Sequence, residues 1–105
     1  MVAPNELELR FHHAMLAIYE DAKRDCGYNA TRFRKMVAVD GGLQTAKTLL
    51  ATELPSDGFI ALFEHQRLDL TVENLVLKPE FQALFSKQEL LIAKERLIEY
   101  GFLQN

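Results

Sequence analysis

Residues 35–50 read Lys35-Met36-Val37-Ala38-Val39-Asp40-Gly41-Gly42-Leu43-Gln44-Thr45-Ala46-Lys47-Thr48-Leu49-Leu50, and the fold class turns on them. Asp40-Gly41 is a favoured hairpin dipeptide, so Lys35 to Val39 admits a reading as a strand. A hairpin also needs an alternating partner, and the next eight residues offer none. Leu43, Ala46, Leu49 and Leu50 instead recur at helical spacing. The stretch therefore predicts two helices, with a stop at the glycine pair, because consecutive glycines make a continuing helix expensive.

The flanking chain has the same character. Leu7, Phe11, Met15, Ile18 and Ala22 form one apolar face of a helix predicted over residues 6–26. Asn5 and Glu8 resemble a capping box at its start, and Gly27 suits a left-handed cap at its end. Asn29 or Thr31 is the expected cap of the second helix, with Phe33, Met36 and Val37 as its stripe. The third helix should end before Leu54-Pro55. Ser56 then caps a short fourth helix that buries Phe59, Leu62 and Phe63. Arg67 to Val72 alternates polar and apolar residues, which admits a short strand. A turn into a fifth helix is preferred, with Thr71 as cap and Leu70 and Leu75 as a staple. Pro79 fits the first position of a sixth, carrying Phe81, Leu84 and Phe85. Ser86 and Glu89 complete a capping box for the last helix, whose stripe is Leu90, Ala93, Leu97 and Tyr100. Gly101 ends it, with Phe102 folding back. The expectation is an all-α, compact single-domain bundle of six to seven helices over residues 1–105. The longest helices stand at the two ends of the chain and are expected to pack on each other.

Composition narrows the function classes. The 105 residues carry 12 basic and 15 acidic side chains, a net charge of -3, and 49% apolar residues. That is too apolar for a disordered tail. One cysteine, Cys26, cannot form an internal disulfide, and no apolar run is long enough to span a membrane. No basic leader followed by an apolar segment is visible near Met1, so a cytoplasmic chain with a reduced thiol is expected.

Four motifs carry a resemblance: Gly27-Tyr28-Asn29-Ala30-Thr31-Arg32-Phe33, Gly41-Gly42-Leu43-Gln44-Thr45-Ala46, Ser56-Asp57-Gly58-Phe59 and Arg67-Leu68-Asp69-Leu70-Thr71-Val72-Glu73. Pro79-Glu80-Phe81 and Tyr100-Gly101-Phe102 extend it. On these the chain resembles, over nearly its whole length, a family of small bacterial proteins with no established activity. The resemblance implies a compact, self-contained bacterial domain and supplies no catalytic residue.

Each candidate chemistry has a plainer rival. Glu8 and His12 share a helix face, but His13 points elsewhere, Glu64 and His65 lie far along the chain, and a catalytic zinc wants three ligands. No metal or other cofactor is therefore expected. Cys26 at a helix C-terminus faces the dipole end that disfavours a thiolate. Ser56 lacks the surroundings of a nucleophile elbow and reads as a cap. Gly41-Gly42 could offer amides to phosphate, but Asp40 repels it and Lys47-Thr48 lacks the glycines of a P-loop.

Charge segregation is a stronger signal. Residues 23–47 carry +4, against -3 before and -4 after them. Arg32, Arg34, Lys35 and Lys47 are thus candidate contacts for nucleic acid or an acidic partner. The two helices around Gly41-Gly42 would then resemble a helix-turn-helix, with Gln44, Thr45 and Thr48 beside Lys47 as a modest reading set. A second candidate is a polar groove formed by Tyr28, Asp57, Arg67 and Asp69, with Arg32 nearby. Arg67, Asp69 and Glu73 also suit charge-assisted structural bonds. The leading expectation is a non-catalytic module that binds a protein partner or itself. The alternatives are a nucleic-acid-binding protein and a small enzyme using Asp57, Arg67 and Asp69.

Overall fold

The computed structural model describes residues 5–104. Six α-helices follow one another: α1 (Glu6–Cys26), α2 (Thr31–Asp40), α3 (Gly42–Leu50), α4 (Asp57–Glu64), α5 (Val72–Val76) and α6 (Lys87–Glu99). Single 3₁₀ turns stand at Leu68–Leu70 and Gln82–Leu84, and the described residues form no strand. The all-α expectation holds, with the longest helices first and last. The radius of gyration, 13.1 Å, is that of one compact domain of this length.

The deciding stretch folds as two helices joined by Gly41 alone. Gly41 has φ +87° and ψ 157°, a region essentially reserved for glycine. Its N–H closes α2 on Val37 O at 3.0 Å, and its carbonyl accepts the Thr45 N–H at 3.1 Å. The next residue sits hard against α1. The Gly42 N–H donates to His12 Nδ1 at 2.9 Å, which puts the ring proton on Nε2.

Several caps form as the sequence predicts. Ser56, Thr71 and Ser86 accept from the N–H groups of Phe59, Asn74 and Glu89, and Ser86 with Glu89 makes a complete capping box. Asn5 accepts from the Glu8 N–H, but the Glu8 carboxylate meets the Asn5 side-chain amide rather than its backbone. Gly101 at φ +83° sends the Phe102 N–H back to Leu97 O at 2.8 Å. Leu103 packs against the core there, while Phe102 stays exposed.

Other expectations are corrected. Neither Asn29 nor Thr31 caps α2; the N-cap is Ala30, because the Asn29 side chain is taken by the Tyr19 hydroxyl at 2.6 Å. No helix begins at Pro79. Too few residues separate it from the extended Phe85 that leads into α6, so only i→i−3 bonds form. Phe63 lies about 40° around α4 from Phe59 on the side away from Leu62, at the edge of the inward face. It stays 41% exposed, with one edge on Tyr100. The two end helices are not each other's main neighbours: α1 lies on α2, α3 and α5, while α6 lies on α5 and α3.

The core explains this arrangement. Phe11 is fully buried in α1 and meets Phe81 and Phe85 edge-on at 5.1 and 5.3 Å. Met15, Val37, Ala46, Leu50, Val76 and Ala93 close around these rings. Thr45 is also fully buried, and its hydroxyl has no hydrogen-bond partner among the described residues. An isosteric Thr45→Val substitution removes that unpaired group and keeps the shape. The expected result is about 1 kcal/mol of added stability in urea unfolding; a loss of stability would show that the hydroxyl is satisfied.

Candidate functional site

A cleft of about 560 Å³ opens where the end of α1, the start of α2, the α3–α4 connection and α5 meet. Its size is that of a ligand site. Ile18, Phe33, Met36, Leu49, Leu54 and Phe59 supply apolar wall, and Tyr28, Arg32 and Asp57 supply polar groups. The local reasons are simple. Gly27 turns the chain out of α1 and carries Tyr28 across to α4, where a Cβ on Gly58 would lie 3.8 Å from the Tyr28 hydroxyl. Arg32, Phe33 and Met36 share one side of α2. Ser56 fixes the first turn of α4 and so places Asp57.

Glu73 belongs to the same cleft and is buried. Arg96 of α6 donates to its Oε2 at 2.9 Å, to Leu49 O at 3.2 Å and to Thr52 O at 2.6 Å. One guanidinium thus bonds carbonyls at and just beyond the end of α3 and neutralises the carboxylate of α5. Burial pushes the Glu73 carboxyl up, and the Arg96 bond pulls against it.

The predicted groove forms only in part. Tyr28, Arg32 and Asp57 come together in the cleft; Arg67 and Asp69 are outside it. Arg67 instead makes a two-pronged pair with Asp69 at 3.0 and 3.1 Å and reaches Asp25 at 3.2 Å. Glu73, expected beside Arg67, is bound to Arg96. The Arg67 bonds hold Asp69 below the usual carboxylate range, and the Arg24 bond, followed by that of Arg67, does the same for Asp25. A lowered folded value makes the ionised carboxylate favour the fold. That contribution is present above the unfolded value and fades as pH falls through the folded one. Arg67→Met is therefore expected to destabilise the domain at neutral pH, with the deficit shrinking in acid. A deficit constant across an acid titration of thermal unfolding would exclude this role.

The basic segment is divided. Lys47 pairs with Glu89 at 2.8 Å over the Phe85 ring, and Arg24 pairs with Asp21 and Asp25. Arg34 stands 5.9 Å from the Tyr19 ring. Arg32 and Lys35 are exposed, and no carboxylate of the described residues lies within ion-pair distance of them. Thr45 faces the core, and Gln44 donates to Thr48 on its own helix.

The remaining candidates have structural employment. His12 accepts from Gly42, which also occupies the amide that a phosphate would need. His65 lies on the exposed end of α4, and no metal-binding group of three His, Cys, Asp or Glu side chains exists among the described residues. Cys26 is half-buried against Ala22, Leu62 and Leu70. No described helix is long and apolar enough to cross a membrane. No family model, no curated protein and no solved structure matches the chain.

Proposed function

We propose that this chain is a non-catalytic interaction module that takes a segment of a protein partner into the cleft. The observation that carries the reading is the cleft itself, about 560 Å³ with mostly apolar walls in so small a domain. Asp57 alone of Asp57, Arg67 and Asp69 lines it, so a reaction centre built on all three lacks its members. Leu54 is 73% exposed at its edge, which suits a residue covered only on association. A cytoplasmic setting and a bacterial source belong to this reading, the first on the single thiol and the second on the motif resemblance.

A random-peptide display selection against the folded domain tests it. Selected peptides are expected to shift the NMR signals of Ile18, Phe33, Met36 and Phe59 together. Leu54→Ser, an exposed change that leaves the core alone, should weaken binding several-fold. Shifts scattered away from the cleft, or full affinity in Leu54→Ser, would refute the assignment. Self-association is the competing use of exposed apolar surface, and sedimentation of the free domain as a dimer would favour it.

A further inference from the structure

We infer that the partner segment presents a bulky apolar side chain flanked by carboxylates, an inference that rests on the cleft being a peptide site. Arg32 lines the cleft, and Lys35 stands one turn along the same helix. Like charges at this spacing repel. Arg32 also lies in the first turn of α2, where the positive end of the helix disfavours a cation and no acidic residue offsets it. Two neighbouring cations are treated differently. Arg24 and Lys47 each have a carboxylate within 3.0 Å. Arg32, Arg34 and Lys35, the three cations of α2, have no carboxylate of the described residues within ion-pair distance, so this helix carries uncompensated positive charge beside an apolar cleft.

The acidic groups nearby do not reverse the sign. Glu73 is bound to Arg96 beneath the surface. Asp57 is exposed in the first turn of α4, where its own helix offsets its charge. The three unpaired cations of α2 outnumber Asp57, the one carboxylate lining the cleft without an ion-pair partner among the described residues, and electrostatic complementarity selects an anionic segment. An acidic peptide fits better than nucleic acid. The cavity accepts an apolar side chain, and the residues of α3 expected to read bases are buried, ion-paired or bonded to each other.

Anisotropy titrations with three short peptides decide the matter. All carry a central phenylalanine, and their flanks are glutamate, glutamine or lysine. The expected order of affinity is glutamate, glutamine, lysine, with about tenfold between the extremes for two exposed charge contacts. Rising salt should narrow the gap, and the double variant Arg32→Gln/Lys35→Gln should abolish it. Equal affinities for all three would overturn the acidic flank and leave the cleft reading standing. No binding by any of the three would overturn both. A single- or double-stranded DNA oligonucleotide that binds more tightly than the glutamate peptide would replace the peptide partner with nucleic acid.

Discussion

Arg96→Met is expected to lower the unfolding free energy by roughly 3–5 kcal/mol, the scale for breaking a buried ion pair from one side. The side chains of Arg96 and Glu73 are 7% and 4% exposed, so water cannot take over their bonds. Losing the guanidinium strands the Glu73 carboxylate and takes a donor from the Thr52 carbonyl, while the Leu49 carbonyl keeps the Thr52 hydroxyl at 2.8 Å. Those three residues line the cleft, so the same substitution should loosen its wall and weaken peptide binding beyond any change in charge. The companion variant Glu73→Leu/Arg96→Met separates the charge from the packing. Replacing both partners by apolar groups of similar volume is often neutral, so the double variant should recover much of the loss. Urea unfolding of the three proteins reads this. A single variant within 1 kcal/mol of wild type would mean that the pair is solvated. A double variant as unstable as the single would assign the loss to the Thr52 carbonyl.

Arg96 was legible in part. It follows Ala93 by three residues and adjoins Leu97, so it falls on the buried side of the last helix, where an unpaired cation would be untenable. Glu73 likewise sits among Val72, Leu75 and Val76. Each position announces a buried charge; that each is the other's answer depends on how α5 meets α6, which no spacing within one helix encodes. The caps were readable for the opposite reason. Ser56, Thr71 and Ser86 bond to groups three residues away, and local chemistry decides them. Asn29 shows the limit of such reasoning, because a hydroxyl from α1, ten residues earlier, outcompeted the helix end for its side chain.

The cleft divides along the same line. Tyr28, Arg32 and Asp57 were readable as polar residues near helix ends, and their convergence needed α1, α2 and α4 to be placed in space. Arg67 and Asp69 were grouped with them because they too sit at a helix entrance. They are two residues apart, so a bidentate pair could form with no help from the rest of the fold, and it does. Charge segregation was a property of the sequence, whereas its use is a property of packing. Lys47 lies on the side of α3 that reaches Glu89, and Arg32 lies on a side of α2 that reaches no carboxylate.

Gly42→Ala is the other substitution with a large expected effect, and its sign is set by two opposing terms. Alanine in a helix is favoured over glycine by about 1 kcal/mol. Gly42 has no positive φ to protect, so this gain would apply in open space. The space is occupied: a Cβ there would lie 2.7 Å from His12 Cα and 3.3 Å from Met15 Cγ. The nearest atom is backbone in the middle of α1, so no rotamer change relieves the contact. α3 must move off α1, which lengthens the Gly42 to His12 hydrogen bond and opens the core around Met15 and Ala46. Overpacking of this kind costs about 1–3 kcal/mol or more, and a backbone obstacle belongs at the upper end. The net expectation is a loss of about 2–3 kcal/mol, or a fall of about 10–20 °C in Tm for a domain of this size. His12→Ala supplies the control. It forfeits the hydrogen bond while leaving the helices free to approach, and should cost about 1 kcal/mol. If Gly42→Ala proved no worse than His12→Ala, the close approach of α3 to α1 would not be what holds the deciding stretch in place.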